Sequence, residues 1–136
     1  MIRTFTPSDL AAVQEVWRCC RREAIPDDEL DAVLANAPDL LLVAEAADAQ
    51  IVGVVVGTTD SRRGWVHRLA VLPAHRRRGH AAGLVAELER RFGARGLPRV
   101  NLLVLPDDVS ALRFWDRLGH LSCPDVLHTR ALPGGR

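Results

Sequence analysis

Arg76-Arg77-Arg78-Gly79-His80-Ala81 decides the fold of this chain, because a strand pattern precedes it and a helix pattern follows it. Residues 65–72 are rich in apolar and β-branched side chains, and Pro73 bounds them, as is typical of the end of a β-strand. Further along, apolar residues recur at three- and four-residue steps and form one helical stripe: Ala81, Leu84, Val85, Leu88 and Phe92. The sequence therefore predicts a strand, a tight turn and an amphipathic helix that ends near Gly96.

Such a turn is suited to binding an anion. The first amides of a helix lack partners within the helix, and its N-terminus carries the positive end of the helix dipole. Gly79 allows a close approach of the backbone to a ligand, and three guanidinium groups match phosphate geometry. We therefore predict a pyrophosphate site at residues 76–81. The alternative is an ordinary solvated surface turn.

Two motifs carry a resemblance to a known family. The turn reads R-x-x-G-x-A and resembles the Q/R-x-x-G-x-G/A acetyl-CoA signature of the GNAT (Gcn5-related N-acetyltransferase) family. Residues 108–120 follow a predicted strand and resemble the family's N-x-x-A-x-x-F-Y-x-x-L-G-F motif, with matches at Ala111, Phe114, Leu118 and Gly119. The resemblance covers residues 1–131 and is closest to small bacterial single-domain members. It implies an acetyl-CoA-dependent N-acetyltransferase that acts on a primary amine of a small molecule or a protein N-terminus.

The resemblance also implies which residues bind acetyl-CoA, the co-substrate. Pantetheine is expected between two splayed strands, with its amides paired to the backbone of Leu69, Ala70 and Val71. The pyrophosphate is expected at Arg76, Arg77, Arg78, Gly79, His80 and Ala81. Asp108 replaces the family's usual asparagine, and it caps a helix well although its charge opposes an anionic ligand. Trp115 replaces a tyrosine that protonates the departing thiolate in many members, and this chain contains no tyrosine.

His67 is the candidate general base. Strand alternation places it on one face with Trp65, Leu69 and Val71, and arylalkylamine acetyltransferases resemble this chain in carrying a histidine on this strand. The alternative is a histidine that is only packed or hydrogen-bonded in the sheet. Weaker candidates are Glu23, Glu45 and Asp60. Because tyrosine is missing, a non-catalytic acyl-CoA-binding module of the same fold stands as the alternative function.

The first two helices are expected to wall the acceptor site. They offer Trp17, Glu23 and three arginines, namely Arg18, Arg21 and Arg22. Trp17 lies on the apolar stripe of the first helix, so core packing is its default role. The sequence leaves the identity of the acceptor open.

Composition limits the classes of function. The chain has 136 residues, 48% of them hydrophobic, which suits one domain over residues 1–136. A net charge of +1 does not favour nucleic acid as a partner, and all 18 basic residues are arginine. Neither a membrane span nor a signal peptide is predicted, nor is a metal site. An odd count of three cysteines does not favour a disulfide scaffold, so we expect a cytoplasmic protein, and a homodimer remains open.

The order of the predicted elements is that of the GNAT family, so the resemblance implies an α/β (α+β) protein of GNAT fold, with a mixed, mostly antiparallel sheet and helices on both faces. Strands are predicted at residues 2–5, 40–46, 51–59, 65–72, 100–104 and 125–131. Helices are predicted at residues 6–22, 26–38 and 81–96, and from residue 108 onward. Residues 48–50 form the predicted turn of a hairpin.

Overall fold

The computed structural model describes residues 1–135, with five strands and four α-helices. The strands are β1 (Ile2–Thr4), β2 (Leu41–Glu45), β3 (Ile51–Thr59), β4 (Gly64–Val71) and β5 (Val100–Leu102). The helices are α1 (Leu10–Cys19), α2 (Asp27–Asn36), α3 (His80–Ala94) and α4 (Val109–Arg117). No helix of the described chain is both long and apolar enough to cross a membrane. The chain divides into two compact units, Met1–Leu103 and the part that begins at Val104.

The sheet has the strand order β1-β2-β3-β4-β5 and is antiparallel except for the parallel pair β4 and β5. The predicted mixed, mostly antiparallel sheet is thus confirmed. Pairing between β4 and β5 covers only residues 64–66 of β4. Residues 67–71 therefore lie beyond the paired segment, and β4 there has an edge that β5 does not cover.

Helices pack on both faces of the sheet, as predicted. On one face, Trp17 of α1 and Leu30 of α2 join a buried cluster with alternate residues of the central strands, such as Val54. On the other face, α3 lies so close that a methyl group added to Gly57 would be 2.5 Å from Leu88. Likewise, one added to Gly64 would be 2.7 Å from the Phe92 ring. Glycine is needed at both positions because α3 occupies the space of a side chain.

Both ends of α1 differ from the predicted helix over residues 6–22, because the α-helix begins at Leu10, after a 3₁₀ turn at Pro7–Asp9. Thr6 precedes Pro7 at a 3₁₀ turn that leads into the helix, and the Thr6 amide donates to a carboxylate oxygen of Asp9 at 2.8 Å. The helix was expected to reach Arg22 but ends at Cys19. The cause is Arg21, whose φ of +59° lies in the left-handed region and breaks the helical path.

The strand predicted at residues 125–131 is wrong, because the structure describes no strand there. A strand is stabilised by the ladder of a partner, and this segment pairs with no other strand of the described chain. Its apolar side chains are exposed instead, as at Val126 and Leu127. Strand β5 also ends at Leu102, two residues before the predicted end.

Candidate active site

The turn between β4 and α3 has the geometry of an anion site. Arg77 and Gly79 both adopt left-handed backbone conformations, with φ of +64° and +84°. The first hydrogen bond of this helix end runs from the Gly83 amide to the Gly79 carbonyl at 2.9 Å. Within the described chain, the amides of residues 77–82 make no hydrogen bond. These free donors at a helix N-terminus suit the oxygen atoms of a phosphate group.

The three arginines of the turn have different roles. The Nε of Arg76 donates to the Val71 carbonyl at 3.1 Å, and its Nη2 lies 3.6 Å from the Cys20 thiol. Arg76 thus ties the turn to the end of β4. Arg77 and Arg78 are exposed and form no ion pair in the part of the chain that the structure describes. Their guanidinium groups are the ones available to an anionic ligand.

His80 and Ala81 begin helix α3 at this turn. Burial lowers the pKa of His80 below its ordinary value of 6.5, and the charges of His75, the N-terminal amine and Arg78 lower it further. The His80 imidazole is therefore mainly neutral at pH 7. His75, Arg78 and His80 also line an open cavity of about 540 Å³.

The uncovered edge of β4 offers backbone groups to a ligand. The Leu72 amide donates to the Val52 carbonyl of β3 at 2.8 Å. Since pairing alternates along antiparallel strands, Val71 directs its N–H and C=O away from β3, and Ala70 directs its own toward it. The Val71 carbonyl binds Arg76, which leaves the Val71 amide at the open edge. The pairing of pantetheine with Leu69, Ala70 and Val71 stays a prediction, and Val71 fits it best.

Strand β4 contains a bulge directly after His67. The register with β3 shifts between Val54 and Val56, and Arg68 has a φ of +52°. Trp17 of α1 stabilises this conformation, because its indole N–H donates to the Arg68 carbonyl at 2.9 Å. The Arg68 guanidinium lies 4.9 Å from the centre of the Trp17 ring and donates to the Glu23 carbonyl at 3.0 Å. Sequence analysis missed Arg68, since nothing in its neighbourhood indicates a left-handed residue.

His67 lies opposite Val56 of β3, and its Nε2 is 2.8 Å from the Thr58 hydroxyl. The residue is exposed, yet desolvation of the ring lowers its pKa below 6.5. Arg68 lowers this pKa further, whereas Glu29 raises it. The imidazole is therefore mainly neutral at pH 7 and able to accept a proton.

A cavity of about 260 Å³ adjoins His67. One face of α2 forms a wall with four residues at helical spacing, namely Glu29, Ala32, Val33 and Asn36. The sheet contributes Val56, Thr58, His67 and Arg68. Sequence analysis missed Glu29 and Asn36. Their spacing was the available signal, but acidic residues in a first helical turn are also typical of ordinary helix starts.

The weaker candidates for a base have structural partners. Glu45 accepts from the Nε of Arg3 at 2.5 Å. Asp60 accepts from the amides of Arg62 and Arg63, and these bonds lower its pKa. Glu23 contributes its backbone carbonyl to Arg68. None of the three carboxylates lines the cavity beside His67. Among residues 1–135, no three His, Cys, Asp or Glu side chains form a group that could hold a metal ion.

Two predicted cofactor residues lie in the second unit. Asp108 caps α4, where its Oδ1 accepts from the Ala111 amide at 3.0 Å. Trp115 is buried, and its indole packs edge-on against the rings of Phe114 and His120, with 4.9 Å between the ring centres in each pair. A role for Asp108 and Trp115 in cofactor binding stays a prediction.

Comparison with known structures supports the fold. The chain is similar to Ard1 from Thermoplasma volcanium, with a TM-score of 0.79, 23% identity and coverage of 88% of this chain and 80% of that one. It is similar to the NatB acetyltransferase complex bound to CoA and MES, with a TM-score of 0.80, 21% identity and coverage of 88% and 82%. An aminoglycoside N-acetyltransferase in complex with CoA gives a TM-score of 0.77 at 19% identity, with coverage of 98% and 100%.

Sequence comparison supports the family. An acetyltransferase of Sodalis glossinidius is 36% identical over 129 residues, which are 93% of this chain and 90% of that protein. An acetyltransferase of Pectobacterium atrosepticum is 37% identical over 120 residues, 86% of this chain and 84% of that protein. The family model "Acetyltransferase (GNAT) family" matches residues 10–120. The chain therefore belongs to the GNAT family of N-acetyltransferases, whose co-substrate is acetyl-CoA.

Proposed function

We propose that this protein transfers the acetyl group of acetyl-CoA to a primary amine of a small molecule or a protein N-terminus, with His67 as the general base. The observation that carries the proposal is the position of the His67 imidazole, which lines a cavity where β4 continues beyond its pairing with β5. The acetyltransferase relatives favour this function over a module that only binds acyl-CoA.

Acetyl-CoA would be held by the turn and the open strand edge. The free amides of residues 77–82 and the guanidinium groups of Arg77 and Arg78 fit the pyrophosphate. Gly79 leaves room for it, because no atom lies within 4 Å of a Cβ added there. The Val71 amide fits a carbonyl of the pantetheine arm. We also propose that residues 1–136 act as one acetyltransferase domain, since the family match runs through both units.

The chemistry requires an unprotonated amine, because an ammonium has no lone pair. An alkylamine with a pKa of about 10 is mostly protonated at pH 7, so a proton must leave before attack. His67 accepts that proton, directly or through one water. The amine nitrogen then forms a bond to the acetyl carbon while the carbon–sulfur bond breaks. The nitrogen loses its second proton to give the amide, and the departing thiolate takes up one proton, directly or through water. Holding both reactants in position supplies about 7–11 kcal/mol of the barrier reduction.

The His67→Ala variant tests this assignment. Turnover should fall about 10²–10⁴-fold, because general base catalysis contributes an effect of that size. Affinity for acetyl-CoA, measured by calorimetry, should stay within about twofold. The wild-type rate should rise with pH through a pKa below 6.5, since only the neutral imidazole accepts a proton.

The exposed His128 supplies a matched control, and His128→Gln should leave the rate and its pH profile unchanged. A His67→Ala enzyme with near-wild-type turnover would restrict His67 to its hydrogen bond with Thr58. Wild-type protein that binds CoA but releases no thiol with any amine would leave only the binding function.

A further inference from the structure

The cavity beside His67 contains a carboxylate without a hydrogen-bonded partner. Within residues 1–135, the Glu29 carboxylate makes no hydrogen bond, and its nearest cation is the Nε of Arg68 at 3.9 Å. Arg68 is itself held by the Glu23 carbonyl and the Trp17 ring. The Glu29 side chain is 47% exposed, so its oxygens are open to a ligand. The wall of the cavity thus presents a carboxylate that accepts no hydrogen bond and whose ion pair with Arg68 is long.

The charge of this carboxylate does not suit the amine that reacts. A carboxylate next to an ammonium stabilises the protonated form and opposes the loss of the proton that attack requires. It does suit a second amine that remains charged throughout the reaction. A charge-assisted hydrogen bond to such a group would hold the acceptor in place.

Size and lining agree with a short chain that carries two amines. A volume of about 260 Å³ equals roughly nine water molecules at about 30 Å³ each, enough for a few methylene groups with polar ends. Ala32, Val33 and Val56 provide the apolar lining that methylene groups need. Glu29 and Asn36 lie two helical turns apart, about 10 Å along α2, so polar groups flank this apolar surface.

We propose that the acceptor is a small aliphatic diamine, with one amino group at His67 and the other bound as an ammonium by Glu29. This inference rests on the proposed function and narrows its substrate class. It assigns Glu29 as the residue that determines specificity, and it disfavours an acceptor with a single amino group.

Two acceptors that differ only in the second amine test the proposal, namely 1,4-diaminobutane and butylamine. For the wild-type enzyme we expect kcat/KM to be at least tenfold higher for the diamine, mainly through a lower KM. In Glu29→Gln the ratio of kcat/KM for the diamine to kcat/KM for butylamine should fall to about one. In Glu29→Asp this ratio should lie between that of Glu29→Gln and that of the wild-type enzyme. Asp31→Asn removes an exposed carboxylate from the same helix and should leave the ratio unchanged.

The pH profile tests whether the charge of Glu29 acts on His67 across the cavity. His67 faces Glu29 from α2, Thr58 from β3 and Arg68 of its own strand. Because Glu29 raises the pKa of His67, Glu29→Gln should move the acidic limb of the butylamine profile to lower pH. An acidic limb that does not move would show that Glu29 does not act on His67, which would contradict a shared acceptor site at this cavity.

A wild-type ratio near one, or an equal loss for both acceptors in Glu29→Gln, would overturn the diamine proposal while acetyl transfer itself stands. Calorimetric titration of 1,4-diaminobutane in the presence of CoA gives a readout that does not need turnover. Binding that weakens about tenfold in Glu29→Gln supports the site even if no acetyl transfer occurs, and in that case the proposed function alone fails.

Discussion

At the scale of single residues, one buried carboxylate determines how the first helix joins the sheet. Asp9 is 7% exposed and accepts two hydrogen bonds from the Arg3 guanidinium, at 2.7 and 2.9 Å. These bonds are the main reason that the pKa of Asp9 falls to about 2, and the Thr6 amide adds to the effect. Arg3 also binds Glu45, so three segments of the chain meet at one guanidinium.

Asp9→Asn should therefore lower the free energy of unfolding by about 2–3 kcal/mol at pH 7. This is somewhat less than the cost of breaking a fully buried ion pair, because Arg3 is partly exposed. The folded pKa lies below the unfolded value, so the contribution is complete above about pH 4 and disappears as the pH falls toward 2. Urea denaturation of both proteins at pH 7 and pH 3 measures the difference. A loss equal at both pH values would contradict this assignment, and the exposed Asp31→Asn control should change stability by less than about 0.5 kcal/mol.

The site residues show which signals a sequence carries. His67 does not share a face with Leu69 and Val71, as strand alternation predicts, because the bulge after it places it on the face of Ala70. The turn at residues 76–81 could be predicted as a turn, because its motif has glycine at a fixed position. Arg68, Glu29 and Asn36 could not be predicted. The left-handed conformation of Arg68 depends on a hydrogen bond from Trp17, 51 residues away along the chain. The position of Glu29 and Asn36 at the cavity depends on which face of α2 meets the sheet.

At the scale of elements, α3 was predicted closely because glycines mark both of its ends. Gly79 at its start and Gly96 after its end have φ of +84° and +77°. By contrast, α1 and β5 end earlier than predicted. Helix α1 ends before Arg21, which has a positive φ, and β5 ends where its pairing with β4 ends. Neither feature leaves a signature in local composition, so the sequence did not indicate these ends. Local chemistry predicts an element's end only where a special residue is required there.

These two glycines provide a matched pair of variants. Gly79→Val should lower affinity for acetyl-CoA at least tenfold, because a branched side chain would occupy the space expected for the pyrophosphate. Gly96→Val has the same open surroundings and a similar positive φ, so it should carry a similar strain of about 1–3 kcal/mol. Calorimetry with acetyl-CoA and thermal unfolding separate the two effects. An equal loss of affinity in both variants would show that strain, rather than the turn, is responsible.

At the scale of the whole molecule, the family resemblance and the order of the predicted elements indicate a mixed, mostly antiparallel sheet with helices on both faces, whereas the C-terminal part is predicted wrongly. Adjacent apolar residues such as Val126 and Leu127 form a strand only where another strand is available for pairing. Composition does not show whether such a strand is available. The second unit therefore contributes a capped helix, followed by a segment without regular secondary structure over residues 120–132.

The second unit also carries the departure from the family motif that is easiest to reverse. Trp115 stands where many GNAT members carry a tyrosine, and an indole N–H does not release its proton near neutral pH. Trp115→Tyr should raise turnover about two- to tenfold if protonation of the leaving thiolate limits the rate. Trp115→Phe keeps the aromatic packing and should change turnover little. Steady-state thiol release measures both, and a Phe variant as inactive as His67→Ala would show a polar role for the indole.

The contact between Trp17 and Arg68 has an optical consequence. Since the chain has no tyrosine, its near-ultraviolet emission comes from three tryptophans, of which Trp17 is fully buried. Its indole is hydrogen-bonded to the Arg68 carbonyl and lies beneath the Arg68 guanidinium, so a cation and a dipole set its excited-state energy. Any ligand that displaces Arg68 from the wall of the cavity will change that local field. Trp17 emission should therefore respond to a ligand that moves Arg68, but not to one that leaves Arg68 in place.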